Sequence, residues 1–63
     1  MPWNPIFFPP AMRHLSEPVR LKAIAIANAL LEEGMEEGQA IRIAIARAKE
    51  WARRRGIENG DQR

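Results

Sequence analysis

The residues best suited to covalent chemistry lie together in the segment RHLSE, which contains the only histidine and the only serine of the chain. His14, Ser16 and Glu17 would supply the base, the nucleophile and the carboxylate of a hydrolase. A serine directly before a helix, however, commonly accepts a backbone N–H bond as the N-cap, and no glycine-rich turn nearby offers an oxyanion site. We therefore expect Ser16 to cap a helix with its side chain, and we expect no catalytic residues and no enzymatic activity.

The sequence also lacks the patterns of a metal or cofactor site. His14 and the glutamates have no spacing of the HxxxH kind, and the chain has no cysteine. The glutamates on either side of Gly34 lack the alternating oxygen ligands of an EF-hand loop, so we interpret them as a solvated acidic turn. We predict no metal, no cofactor and no small-molecule substrate.

A cluster of cations in the second half of the chain is the remaining candidate for binding chemistry. Residues 1–38 contain three basic and five acidic side chains, whereas residues 39–63 contain seven basic and three acidic ones, which leaves open an acidic partner. These cations could neutralise phosphates with salt-dependent affinity. Yet the net charge is only +2, the segment offers little beyond Gln39 to read a base, and arginines at a helix C-terminus stabilise the helix dipole. Nucleic-acid binding is therefore the alternative hypothesis, and its candidate phosphate contacts are Arg42, Arg47, Lys49, Arg53, Arg54 and Arg55.

A first helix is predicted from about residue 17 to residue 33. Ser16 is a favourable N-cap, Glu17 suits the positive end of the helix dipole, and Pro18 suits the first turn. At about 100° per residue the apolar side chains fall in one arc roughly 160° wide. These residues are Val19, Ala23, Ile24, Ile26, Ala27, Leu30 and Leu31.

A second helix is predicted to fold back antiparallel to the first after the short segment GMEEG. Gly34 suits the left-handed residue after a helix end, and Met35 can make the accompanying apolar contact. Glu36 and Glu37 then lie at the positive end of the second helix, and the arginine run precedes Gly56 at its negative end.

The isoleucines of QAIRIAIARAKEW alternate as they would in a strand, but the longer pattern favours a helix. A helix places Ile41, Ala44, Ile45, Ala48 and Ala52 on one face with Trp51 at its edge. Ile43 lies on the other side, where another segment or another chain would have to cover it.

The first 15 residues are predicted to form an extended arm, since proline disfavours a helix at four of these positions. We expect the arm to pack on the helices, with Trp3 and one phenylalanine as anchors. The predicted anchors and interaction surface together comprise Trp3, Phe7, Phe8, Leu21, Met35 and Ile43.

Several motifs of the chain occur together in one family. In order along residues 1 to about 52 they are MPWNP, the Phe8-Pro9 step, MRHL, VRLKAIAIANALLEEG, EEGQAIRIA and AKEW. In these motifs the chain resembles the YdaT-like family of short uncharacterised bacterial proteins. The family commonly has tyrosine where this chain has Phe8 and Met35, so the bulk is preserved and a hydroxyl is lost. The resemblance implies a small bacterial cytoplasmic protein with no established activity, and it supplies no catalytic residues.

The sequence thus predicts an all-α protein. We expect one domain over residues 1–56, an antiparallel two-helix hairpin with its N-terminal arm, followed by a flexible polar tail over residues 57–63. No signal peptide or membrane span is predicted, which favours a cytoplasmic location. Two helices rarely close a core at this size, so a homodimer is left open. The leading hypothesis is a non-catalytic protein-interaction or structural module whose partner is a second copy or another protein.

Overall fold

Two helices packed against each other form the protein, and the computed structural model describes residues 2–59. A short 3₁₀ turn over Pro10–Met12 precedes helix α1, Glu17–Glu32, and helix α2, Glu37–Arg54. The described residues contain no strand, so the predicted all-α hairpin is confirmed. Met1 and residues 60–63, which complete the predicted arm and tail, lie outside the described residues. Neither described helix is both long enough and apolar enough to cross a bilayer.

The turn between the helices has the geometry that the sequence predicts. Gly34 has a φ of +95°, the left-handed conformation in which a side chain would be strained. The Met35 N–H donates to the Leu30 carbonyl at 3.1 Å, and the Gly34 N–H donates to the Leu31 carbonyl at 2.9 Å. This Schellman arrangement satisfies two carbonyls at the end of α1 and starts the chain on its return path.

The start of α1 corrects the predicted role of Ser16. Its backbone carbonyl accepts the Arg20 N–H at 2.8 Å, so the helix begins where predicted. Its side chain makes no capping bond to this first turn and instead donates to the Glu58 carbonyl at 2.6 Å. A capping hydroxyl bonds the second or third helical N–H, and Pro18 removes the first of these donors.

The helices meet along a seam of small residues on α2. The seam comprises Ala40, Ala44, Ala48 and Ala52, all fully buried and spaced by four residues. Because alanine extends so little from the backbone, the axes can approach closely and the larger side chains of α1 fill the space between them. The sequence placed Ile41 and Ile45 on this face, and both are only partly buried against the core, whereas Ala40, which was not assigned to the face, is fully buried.

The N-terminal segment supplies a third side of the core. Trp3 is only 6% exposed, and Met12 and Leu15 are also buried. The Trp3 N–H donates to Asn28 Oδ1 at 3.2 Å, and Asn28 Nδ2 donates to the Trp3 carbonyl at 2.9 Å. The apolar pattern did not predict that Asn28 would be buried. Its amide bonds the backbone N–H and carbonyl of Trp3, which would otherwise be buried without hydrogen-bond partners.

Candidate interaction surfaces

A tight turn near the start of the chain presents two large apolar side chains to solvent. Ile6 is 93% exposed and Phe7 is 67% exposed. Asn4 Oδ1 accepts the N–H groups of both residues at 2.8 Å, and the Asn4 N–H donates to the Phe7 carbonyl at 2.9 Å. Pro5 fixes a further backbone angle within the turn. We call residues 4–7 the Ile6–Phe7 turn. Hydrogen bonds within the turn fix its backbone, and its two apolar side chains are exposed to solvent.

The aromatic residues of the arm differ in their contacts. Trp3 belongs to the core, and Phe8 is half-buried against it with the Arg20 guanidinium 5.0 Å from its ring centroid. Arg20 also donates to the Leu15 carbonyl at 2.8 Å, which fixes the cation above the ring. Phe7 is the phenylalanine that does not pack inward. Phe8 therefore occupies the position expected of an anchor, whereas Phe7 is an exposed group.

The other apolar candidates occupy different parts of the surface. Leu21 is 40% exposed on the outer side of α1, which it shares with the exposed Ala25 and Ala29 at helical spacing. Met35 and Ile43 are half-buried. Leu21, Ala25 and Ala29 therefore form an uncharged row on the outer side of α1.

Two of the cations predicted to contact phosphate are bound to a glutamate of the same helix. Arg53 Nη2 donates to the two carboxylate oxygens of Glu50 at 2.6 and 2.7 Å, and Arg54 Nε donates to Glu50 at 3.3 Å. The hydrogen bond from Arg53, with the charges of both arginines, lowers the pKa of the Glu50 carboxyl below its usual value. Sequence reasoning missed this role of Glu50, although spacings of three and four residues are its signal.

Trp51 forms the floor of an open groove of about 370 Å³ on α2. Its ring is half-buried, with the Arg55 guanidinium 5.2 Å and the Lys22 ammonium 5.3 Å from the ring centroid. Such cation–π contacts hold both charges over the Trp51 ring, and Arg55 is also a lining residue of the groove. We call this site the Trp51 groove, and its lining comprises Ala46, Arg47, Glu50, Trp51, Arg54 and Arg55. The sequence placed Trp51 at the edge of a helix face but did not predict the groove.

The remaining candidate cations are spread along α2. Arg42 and Arg47 are exposed, and Lys49 is half-buried. Among the helical residues 37–54, therefore, the structure brings Arg47 and Arg54 together at the groove and joins Arg53 and Arg54 through Glu50.

The three candidate side chains of the segment RHLSE are not hydrogen-bonded to one another. The Ser16 hydroxyl donates to the Glu58 carbonyl, and the side chains of His14 and Glu17 are exposed. Within residues 2–59, no three histidine, aspartate or glutamate side chains lie close enough to hold a metal ion. The arrangements in the described part of the chain suit binding by apolar and cationic side chains.

Comparison with known proteins gives one informative similarity. A protein of Bacillus subtilis (strain 168) named "Uncharacterized protein YdaT" is 56% identical to the chain over 52 residues. The match covers 82% of this chain and 35% of that protein, so the chain spans about a third of the relative's length. No family model and no solved structure matches the chain. The similarity is therefore one of sequence along most of this chain.

Proposed function

We propose that this chain, which belongs to the YdaT-like family over the 52 matched residues, is a non-catalytic protein-interaction module of the bacterial cytoplasm. The observation that carries the proposal is the Ile6–Phe7 turn. Exposure of two large apolar side chains to water is unfavourable by roughly 1.5–3 kcal/mol for each, relative to full burial. A partner with an apolar pocket would recover this free energy.

The hydrogen bonds within the turn support binding as its role. Asn4 bonds to Ile6 and Phe7 fix the backbone before any partner arrives. Because a bonded turn has less conformational freedom to lose on binding, the entropic cost of association is reduced. An interaction through this turn requires no rearrangement of the core, since Trp3 on one side and Phe8 on the other already pack inward.

Site-specific photo-crosslinking tests the proposal. Benzoylphenylalanine replaces Phe7 in one variant and Ala11, an exposed position of the same arm, in the control. We expect a discrete protein adduct from position 7 in cells and a much weaker one from position 11. Equal labelling from both positions, or no protein adduct from position 7, would contradict an interaction through the turn.

Self-association is the form of this proposal that can be tested with the purified chain alone. The exposed apolar residues of the turn and Leu21 on the outer face of α1 are the surfaces a second copy could cover. Sedimentation equilibrium should show a dimer that Phe7→Ser weakens. A clean monomer at all concentrations would exclude the homodimer and leave another protein as the partner.

Nucleic-acid binding through α2 stays the alternative prediction. It has weaker support, because Arg42, Arg47 and Lys49 are spread along α2 and Glu50 offsets part of the positive charge of Arg53 and Arg54. A gel-shift assay over a range of salt, comparing the wild-type chain with a variant in which Arg53, Arg54 and Arg55 are all alanine, tests it. A salt-dependent shift that disappears in the variant would favour this alternative.

A further inference from the structure

The Trp51 groove combines an apolar floor with cationic walls. Ala46 and Trp51 provide the floor, and Arg47, Arg54 and Arg55 stand around it. Lys22 from α1 lies over the same tryptophan ring but is not among the residues that line the groove. Glu50 is the one acidic lining residue, and it is bound by Arg53 and Arg54. Positive charge therefore exceeds negative charge at this site, and a ligand that complements it is anionic.

One arginine of this groove, Arg54, already binds a carboxylate in the free protein. Arg54 donates to Glu50 through Nε. The two terminal nitrogens of the same planar guanidinium carry further N–H donors. The guanidinium group matches a carboxylate in shape and charge, and such charge-assisted bonds are stronger than neutral ones. A carboxylate on a ligand could therefore bind the Arg54 guanidinium as the Glu50 carboxylate does.

The spacing of the arginines suggests the conformation of the ligand. Arg47 and Arg54 are seven residues apart, so they share a side of α2 and are separated by about 10 Å along its axis. A polyproline II segment has three residues per turn and rises about 3.1 Å per residue, which places every third side chain on one side at intervals of about 9 Å. Aromatic floors of shallow grooves suit the proline-rich form of such segments.

We infer that the Trp51 groove binds an acidic polyproline II segment of a partner protein, with carboxylates three residues apart on Arg47 and Arg54. The axial separation of Arg47 and Arg54 matches the repeat of a polyproline II segment, which favours the peptide. Single-stranded nucleic acid, which also carries anionic groups, is the competing ligand in the test below. The inference does not depend on the Ile6–Phe7 turn, which is built from other residues.

Fluorescence anisotropy tests the inference with a labelled peptide of sequence Glu-Pro-Pro-Glu-Pro-Pro-Glu and a control peptide with glutamine at each glutamate. We expect saturable binding of the acidic peptide, weakened about tenfold or more by Arg47→Gln or Arg54→Gln, as the loss of a charge-assisted hydrogen bond predicts. Arg13→Gln removes the same charge from an exposed position before α1, and should change the affinity less than about twofold. Circular dichroism melts confirm that each variant is folded.

Three results would overturn the inference. The first is an absence of saturable peptide binding, and the second is a loss of affinity in Arg13→Gln as large as in Arg47→Gln, which would indicate general charge attraction. The third is tighter binding of single-stranded oligothymidine that is lost in Arg47→Gln and Arg54→Gln, which would assign the groove to nucleic acid. None of these results alters the crosslinking expected from position 7, so the two proposals fail separately.

Discussion

A single side-chain amide joins the N-terminal segment to α1. Asn28 is 4% exposed and bonds both the N–H and the carbonyl of Trp3. The N–H and the carbonyl of Trp3 are buried together with its indole, where water cannot replace a lost hydrogen-bond partner. The amide therefore determines whether Trp3 can be buried at a low free-energy cost.

Asn28→Ala should lower the free energy of unfolding by about 2–4 kcal/mol, because it leaves two buried backbone groups without partners. Chemical denaturation measures the change, and the fluorescence of Trp3 should shift toward that of a more exposed indole. Gln39→Ala removes an exposed amide from α2 and should change stability by less than about 0.5 kcal/mol. Equal effects from the two substitutions would show that burial of the Asn28 amide is unimportant.

Individual polar residues were the hardest feature to predict from the sequence. Ser16 matched the preference for an N-cap, but its hydroxyl bonds the carbonyl of Glu58, 42 positions away. Asn28 interrupts an apolar stretch, and local pattern alone does not show that a distant backbone will meet it. The partners of both side chains exist only in the folded chain.

At the scale of elements, two glycines beside the same turn have different roles. Gly34 has a positive φ and open space around a potential Cβ, so backbone strain alone opposes a side chain there. Gly38 lies in α2, where an added Cβ would meet the Glu36 carboxylate at 3.7 Å, an ordinary contact. Conformation, and not space, distinguishes the two positions.

Gly34→Ala should therefore destabilise the protein by about 1–2 kcal/mol, the cost of a left-handed conformation with a Cβ. Gly38→Ala should stabilise it by about 0.5–1 kcal/mol, because alanine restricts the unfolded chain and favours the helix. Thermal and urea denaturation of the two variants measure both changes. The same sign for the two substitutions would contradict the assigned turn geometry.

A second prediction for α2 concerns substitutions at the alanine seam. Ala44→Leu inserts a larger side chain where the helices touch and should cost about 1–3 kcal/mol. Ala46→Leu adds the same atoms to an exposed position of the helix and should cost less than about 0.5 kcal/mol. Urea denaturation compares them, and equal stabilities would show that the interface has room to adjust.

Elements were predicted well because their signals are local. The apolar positions of α1 and α2 repeat at helical spacing, and Gly34 interrupts them with the geometry of a helix end. The first helix ends at Glu32, one residue before the predicted end. Helix ends vary by about this much, because the last turn shares its hydrogen bonds with the cap.

At the scale of the whole molecule, residues near the end of the chain return to the start of α1. Gly56 has a φ of +70°, and the Ile57 N–H donates to the Ala52 carbonyl at 2.9 Å, the arrangement that also ends α1. The Ser16 N–H then donates to the Asn59 carbonyl at 2.9 Å. Residues 57–59 of the predicted tail thus contact the folded domain.

A double-mutant cycle tests whether Ser16 acts through this contact. In the full chain Ser16→Ala should cost about 0.5–1.5 kcal/mol, because it removes the bond to the Glu58 carbonyl. In a chain that ends at Ile57 the same substitution should have little effect. Urea denaturation of the four proteins measures the coupling, and equal costs in both backgrounds would support a capping role.

The candidate surfaces could be predicted only in part. Composition indicated a basic second half with six candidate cations, and the structure places three of them, Arg47, Arg54 and Arg55, at the groove. The contact of Lys22 from α1 with the ring of Trp51, which lines the groove, depends on how the helices pack. The exposure of Phe7 and the half-burial of Phe8 likewise follow from the path of the arm, and neighbouring phenylalanines carry no local signal that distinguishes them.

The two contacts that join distant parts of the chain also imply an order of folding. The hairpin forms between helices that are neighbours in sequence, so little loop entropy is lost when they meet. The bonds between Trp3 and Asn28 span 25 residues, and the bond between Ser16 and Glu58 spans 42. Each closes a longer loop and depends on a helix already in place. The arm and the tail should therefore pack on the hairpin after it has formed. On unfolding, their contacts with the hairpin should be the first to break.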